Sequence, residues 1–270
     1  MLSLIKIEWL KIKKYPAFWW MLGIVALTYP GINMMFYYGY TQSLTHSKDV
    51  ATIVKMLMGN PFTFPETWHS VAYFSSFFIL LPSILVIMLV TNEYSFRTHR
   101  QNIIDGWSRA QFISSKLCDV LIISFVITIV YSIVAASFGF YVDSASAYRW
   151  SEQLYYIPLF FLQTFAQLSI AFMLGYLVKK AFIALGIFLF YYLVIENILV
   201  AWMYVKVHDM GRYLPFEISD RLIPKPAFLG KFDSGYDKSL HAIPEFVVYT
   251  ILLTGLIWLL CYRVHKKRDL

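Results

Sequence analysis

The chain has 270 residues, of which 59% are hydrophobic, 19% aromatic and only 14% charged, against a charged share of roughly 25% in soluble domains. That composition excludes an ordinary water-soluble domain and marks an integral membrane protein. The formal net charge of +7 does not point to nucleic acid, because the basic residues form short clusters at the ends of apolar runs, where the positive-inside rule places them. Cys118 and Cys261 sit near the inner ends of apolar runs and read as small apolar fillers rather than a disulfide framework.

Residues 1–15 are too interrupted by Lys6, Glu8, Lys11, Lys13 and Lys14 to span a bilayer. Leu2, Ile5, Trp9 and Ile12 recur at three- and four-residue spacing, so this stretch is expected to form an amphipathic helix lying in the inner membrane interface, ended by Pro16. Six apolar runs follow, near 17–38, 69–91, 117–142, 154–178, 181–204 and 243–262, each able to cover the roughly 30 Å hydrocarbon core. The expected fold is an all-α integral membrane protein, a single transmembrane domain over residues 1–270 with six spanning helices. The fourth and fifth runs are separated only by Lys179 and Lys180, which predicts a tight antiparallel pair.

Placing both termini in the cytoplasm puts fourteen lysines and arginines on the inner side, and only Lys48, Lys55 and Arg149 in the two shorter outer loops. Residues 205–242 form a long outer loop rich in proline and glycine, expected to fold over the outer mouth, and the stretch 213–226 reads equally as a short helix between prolines or as a passive linker.

The most informative polar stretch is the cytoplasmic loop 92–116. Tyr94 to Ile104 contains no glycine or proline and predicts a short helix stopped by Asp105 and Gly106. Ser108 followed by Gln111 matches a capping box that opens the third span. Arg97 and Arg100 share a face of the predicted helix, Ile103, Ile104 and Trp107 offer apolar anchors, and Glu93 at the membrane edge is placed to pair with Lys116 or Arg109.

Within the spans polar side chains are few. Gln163 and Gln167 in the fourth run, and Glu196 with Asn197 in the fifth, are the notable ones. They either line a transport path or tie helices together; the second reading is preferred because Glu196 lies toward the outer half of its span, where water reaches it. No phosphate-binding glycine loop, H-E-x-x-H or nucleophile elbow occurs, so the sequence assigns no catalytic, metal-binding or cofactor-binding residue and does not read as an enzyme.

The amphipathic start, the six runs with both ends inside, the enlarged last outer loop and the run Asn92-Glu93-Tyr94-Ser95-Phe96-Arg97 through Gly106-Trp107-Ser108-Arg109 together resemble the membrane subunit of ABC transporters of the ABC-2 type. In that family a glutamate at the end of the second span precedes a coupling helix that docks on a separate ATPase. The resemblance implies a permease in the cell membrane, working with ABC ATPase subunits that bind ATP and magnesium. It also implies a second copy of the chain or a related permease, and export of a lipid-like, peptide or other amphiphilic cargo. Glu93, Arg97, Arg100, Ile103, Ile104 and Trp107 would then form the coupling surface. The competing readings are an ATP-independent secondary transporter and a membrane immunity or scaffold protein without transport activity.

Overall fold

The computed structural model describes residues 2–45, 52, 59–96, 98, 104, 106–207, 210–230 and 235–267, and every regular element among them is helical. The chain opens with α1 (Leu2–Lys14) and, after the single residue Tyr15, α2 (Pro16–Thr45). Proline fits the first position of a helix because its missing N–H would have no partner there. The joint therefore needs only one non-helical residue, and Phe18 N donates to Tyr15 O at 3.0 Å.

The second apolar run is broken rather than continuous. It comprises α3 (Glu66–Ser76) and α4 (Leu80–Ser95), bent by 49° relative to each other. At the break Phe78 N donates to Ser75 O and Ile79 N to Ser76 O, three residues back, and Pro82 has no N–H with which to resume the four-residue ladder. The long helix α5 (Arg109–Val142) follows, then a 3₁₀ turn at Ser144–Arg149 and α6 (Tyr156–Val178). Lys179, at φ 61°, takes the left-handed conformation that ends a helix, Lys180 is extended, and α7 (Ala181–Lys206) begins at once. The two-residue connection expected between these runs is thus present. The loop after α7 carries the short helices α8 (Pro215–Asp220), α9 (Ala227–Gly230) and α10 (Tyr236–His241), and α11 (Ile243–Lys267) completes the described chain.

Among the described residues α2, α3 with α4, α5, α6, α7 and α11 pack together in one bundle. One end, where α1 lies, is pinned by Asn92 Nδ2 donating to Tyr15 Oη at 2.8 Å and by Arg109 Nη1 donating to Lys266 O at 2.7 Å. The opposite end is held by Trp68 Nε1 on Trp150 O at 2.9 Å and by Gln153 Nε2 on Glu66 Oε1 at 3.1 Å. Here His69 Nε2 meets Pro224 O at 2.7 Å, and since a carbonyl only accepts, the imidazole carries its hydrogen on Nε2 and Nδ1 accepts from the Tyr156 hydroxyl at 3.0 Å.

Four of these helices, α5, α6, α7 and α11, are long and apolar enough to cross a membrane, and the bent pair α3 and α4 makes a fifth if it counts as one span. α2 has 30 residues, about 45 Å at 1.5 Å per residue, but its tryptophans, tyrosines and polar groups make it less apolar than those four. α6 is the central element, with 61% of its apolar window buried, whereas α7 buries 17% and turns Phe182, Phe190 and Trp202 outward. An outer helix apolar on its free face suits lipid as solvent, where burial within the protein gains little.

Gly211 lies where the loop after α7 crosses that helix. A Cβ there would stand 2.8 Å from Val200 Cα and 3.1 Å from its carbonyl oxygen, whereas one at Gly255 in α11 would meet nothing within 4 Å. Gly211→Ala is therefore expected to lower stability by about 1–3 kcal/mol through overpacking, while Gly255→Ala leaves it unchanged or slightly raised. Thermal unfolding of both variants in the same detergent checks the contrast, and equal midpoints would show that the loop is not held against α7.

Candidate functional site

Two polar constellations interrupt the apolar bundle, one at each end. The first forms where α1, the C-terminus of α4 and the N-terminus of α5 meet. Lys116 and Asp119 are three residues apart on α5 and so share a face, as do Glu8 and Lys11 on α1. Lys116 Nζ lies 3.0 Å from Glu8 Oε2, 2.6 Å from Glu93 Oε1 and 2.9 Å from Asp119 Oδ2. An ammonium has three N–H donors, and here each finds a carboxylate from a different helix or turn. Lys11 Nζ adds a bond to Glu8 Oε1 at 2.8 Å and stands 4.0 Å from Glu93 Oε1.

Both Lys116 and Glu8 are buried. Burial by itself raises the Glu8 carboxyl, but the ammonium groups of Lys116 and Lys11 outweigh it and hold the group at about 2. The face that α1 turns inward is therefore Glu8 and Ile12. Trp9, expected in the apolar stripe, stays largely exposed and meets Phe18 edge-on at 6.3 Å, and the side chains of Leu2 and Ile5 lie outside the described residues.

The cytoplasmic loop expected at 92–116 leaves from this knot and returns to it. Glu93 pairs with Lys116, one of the two partners expected for it, while Arg109 reaches Lys266 O instead. The helix expected from Tyr94 to Ile104 begins as the last turn of α4, which ends at Ser95 with Phe96 N bonded to Asn92 O. Arg97, Arg100 and Ile103 lie outside the described residues. Ile104 is 83% exposed, and Trp107 is half-buried with Lys11 Nζ 5.4 Å from its ring centre. Gly106 has φ 94°, a left-handed backbone that favours glycine, and the capping box is complete, Gln111 N donating to Ser108 Oγ at 3.2 Å and Ser108 N to Gln111 Oε1 at 2.8 Å.

The second constellation joins α6 and α7 to the loop that follows α7. Gln163 and Gln167 do not meet Glu196 and Asn197; all but Asn197 reach α8 instead. Gln163 Nε2 and Gln167 Nε2 both donate to Asp220 Oδ1, at 2.9 and 2.6 Å, and Gln167 Nε2 also to Ser219 Oγ at 3.2 Å. Glu196 Oε1 accepts from the backbone N–H of Phe216 and of Glu217, each at 2.8 Å, so a span supplies the carboxylate that caps α8. A π turn at Tyr191–Ile195 precedes Glu196 and shifts the helical register, which turns this residue inward on an otherwise exposed helix. Asn197 points outward, and its amide donates to the carbonyls of Tyr192 and Leu193, each at 3.1 Å, within the π turn.

Burial pushes the Asp220 carboxyl up to about 7, against the hydrogen bonds from Gln163 and Gln167, with Glu217 and Glu196 adding to the rise. Sequence reasoning missed Asp220, Asp119 and the burial of Glu8. The signals were present: an aspartate three residues after Lys116 inside an apolar run, and one acidic residue among the lysines of the first helix. Neither constellation pairs a nucleophile with a base, and among the described residues no group of three or more histidine, cysteine or acidic side chains is arranged to hold a metal ion.

Lys116→Met is expected to cost about 3–5 kcal/mol, because it leaves buried carboxylates without their cation. Chemical denaturation of the variant measures this, and a loss below about 1 kcal/mol would mean that the cluster is solvated. The Asp220 carboxyl lies above its ordinary value, so the protonated form is favoured in the fold and stability falls as pH rises from about 4 to about 7. Asp220→Asn should therefore match the parent chain near pH 4 and exceed it increasingly up to pH 7, as read from thermal midpoints across that range; parallel curves would place Asp220 in water.

A model of a family described as a protein of unknown function (DUF2705) matches residues 58–270. No curated protein matches the chain.

Proposed function

We propose that this chain, which belongs to that family of proteins of unknown function, is the permease subunit of an ATP-driven exporter, coupled to a separate ATPase through the loop 92–116. The observation that carries the reading is the Lys116 cluster. A docking loop transmits force only if its roots are rigid, and the roots of this one are joined by buried ion pairs to α1, α4 and α5 at once. A push on the loop thereby reaches the interfacial helix and two passages of the bundle together.

Further support comes from the resemblance to ABC-2 permeases, from the absence of a phosphate-binding loop in the sequence, and from the exposure of Ile104. ATP and magnesium belong to the partner ATPase in this reading. Counting α2 gives six spans with both termini in the cytoplasm of a cell membrane, and α1 lies at the inner interface. The outward apolar face of α7 and the other lipid-facing helices leave room for a second copy of the chain or a related permease. The scarcity of charged groups along the passages favours a lipid-like, peptide or other amphiphilic cargo over a simple ion.

The test is co-expression with a candidate ABC ATPase, followed by purification and reconstitution. The expected result is an ATPase that co-purifies with the permease. Ile104→Asp should reduce that association by about 2 kcal/mol or more, as for an apolar anchor at an interface, and abolish transport while leaving the permease's thermal midpoint unchanged. A chain that transports fully with no ATPase present would be a secondary transporter. Undiminished binding, hydrolysis and transport by Ile104→Asp would remove the loop from coupling.

A further inference from the structure

The helices that meet at the Lys116 cluster turn matching faces toward a cavity of about 510 Å³, within the range of roughly 300–1,000 Å³ typical of small-molecule sites. On α4 the lining positions include Val86, Leu89, Val90 and Glu93, and on α5 they are Lys116, Asp119, Val120 and Ile123. Each set follows the three- and four-residue steps of a single helix face. In both sets the charged members stand at the end beside α1, and the apolar ones lead away from it toward Phe172 of α6. Each face covers roughly 10 Å of helix at 1.5 Å per residue. The cavity is therefore a chamber that is polar at one end and apolar over the rest of its length.

The charges at the polar end are committed to one another. Lys116 gives its three N–H groups to Glu8, Glu93 and Asp119, and the second oxygen of Glu8 accepts from Lys11. A charged guest would have to displace one of these ions or lie buried without a partner, and both are costly. Tyr15 and Asn92, half-buried and lining the same end, are neutral and keep hydrogen-bonding capacity. Asn92 Nδ2 donates to Tyr15 Oη at 2.8 Å, which leaves the Tyr15 O–H as a donor and Asn92 Oδ1 as an acceptor. A hydroxyl matches that pair, because it accepts and donates at once, and an alkyl chain behind it matches the apolar length. We propose that this chamber binds an uncharged amphiphile with a hydroxyl head, the hydroxyl between Tyr15 and Asn92 and the chain lying along Val86, Val90 and Ile123 toward Phe172. A free alkyl alcohol and a monoacylglycerol drawn from the membrane share this chemistry. The assignment goes beyond the transporter reading and stands without it, because binding to the purified chain requires no ATPase.

The probe is 1-octanol, titrated calorimetrically into the purified chain in phosphatidylcholine nanodiscs at pH 7, with empty nanodiscs as the blank and octylamine and octanoate as the cationic and anionic comparisons. Saturable binding of octanol is expected, at least about tenfold tighter than either charged comparison, since a charge in the chamber finds no partner. Tyr15→Phe removes the hydroxyl donor and should weaken octanol binding by about fivefold, the loss that goes with one neutral hydrogen bond. Leu89→Trp sets an indole into the chamber from a half-buried position and should abolish saturable binding; if this variant does not fold, Tyr15→Phe and the charged comparisons decide. Tighter binding of 1-octanoylglycerol than of octanol would identify an acylglycerol as the guest, and weaker binding a simple alcohol. Octylamine or octanoate binding as tightly as octanol, binding no greater than in empty discs, or full octanol affinity in folded Tyr15→Phe or Leu89→Trp would each overturn the assignment.

Discussion

A buried lysine must place three N–H donors and one positive charge, and in this chain the solution to that problem organises one whole end of the bundle. Lys116 satisfies all three donors with Glu8, Glu93 and Asp119, which belong to α1, α4 and α5. Such a cluster contributes little net stability against a well-packed apolar core, because desolvation consumes most of the Coulombic gain. Its effect is geometric. No one of the three helices can shift without stranding a charge, so a first helix only 13 residues long, too short to be stable alone, is held in one place.

The opposite end solves a different problem with different means. A long loop over an apolar bundle carries backbone groups that need partners, and here the spans supply them. Glu196 caps α8, while Gln163 and Gln167 converge on Asp220 at its other end. The π turn at Tyr191–Ile195 is what aims Glu196 inward, and the Asn197 amide bonds two carbonyls of that turn. The polar side chains of these helices are thus helix and loop fasteners.

Between the two ends the packing is graded by lipid. α6 meets protein on most sides, and its aromatic residues stack inward, Phe160 on Tyr131 at 4.4 Å and Phe172 on Trp258 at 4.6 Å. α7 lies at the periphery, and its apolar side chains require no protein partner in a bilayer.

Much of this was legible in the sequence. Apolar runs of about 20 residues are forced into helices because lipid offers the backbone no alternative partner, and the Ser108 and Gln111 cap and the Lys179 and Lys180 connection depend on neighbouring residues alone. The pairing of Glu93 with Lys116 was foreseeable because both flank one loop. What only the tertiary structure decided is which distant groups meet: Glu8 with Lys116 across 108 positions, and Gln163 with Asp220 across 57. A polar residue in an apolar run announces that it needs a partner, but the partner's identity depends on how helices pack and on the register set by a π turn, and neither leaves a local pattern in the chain.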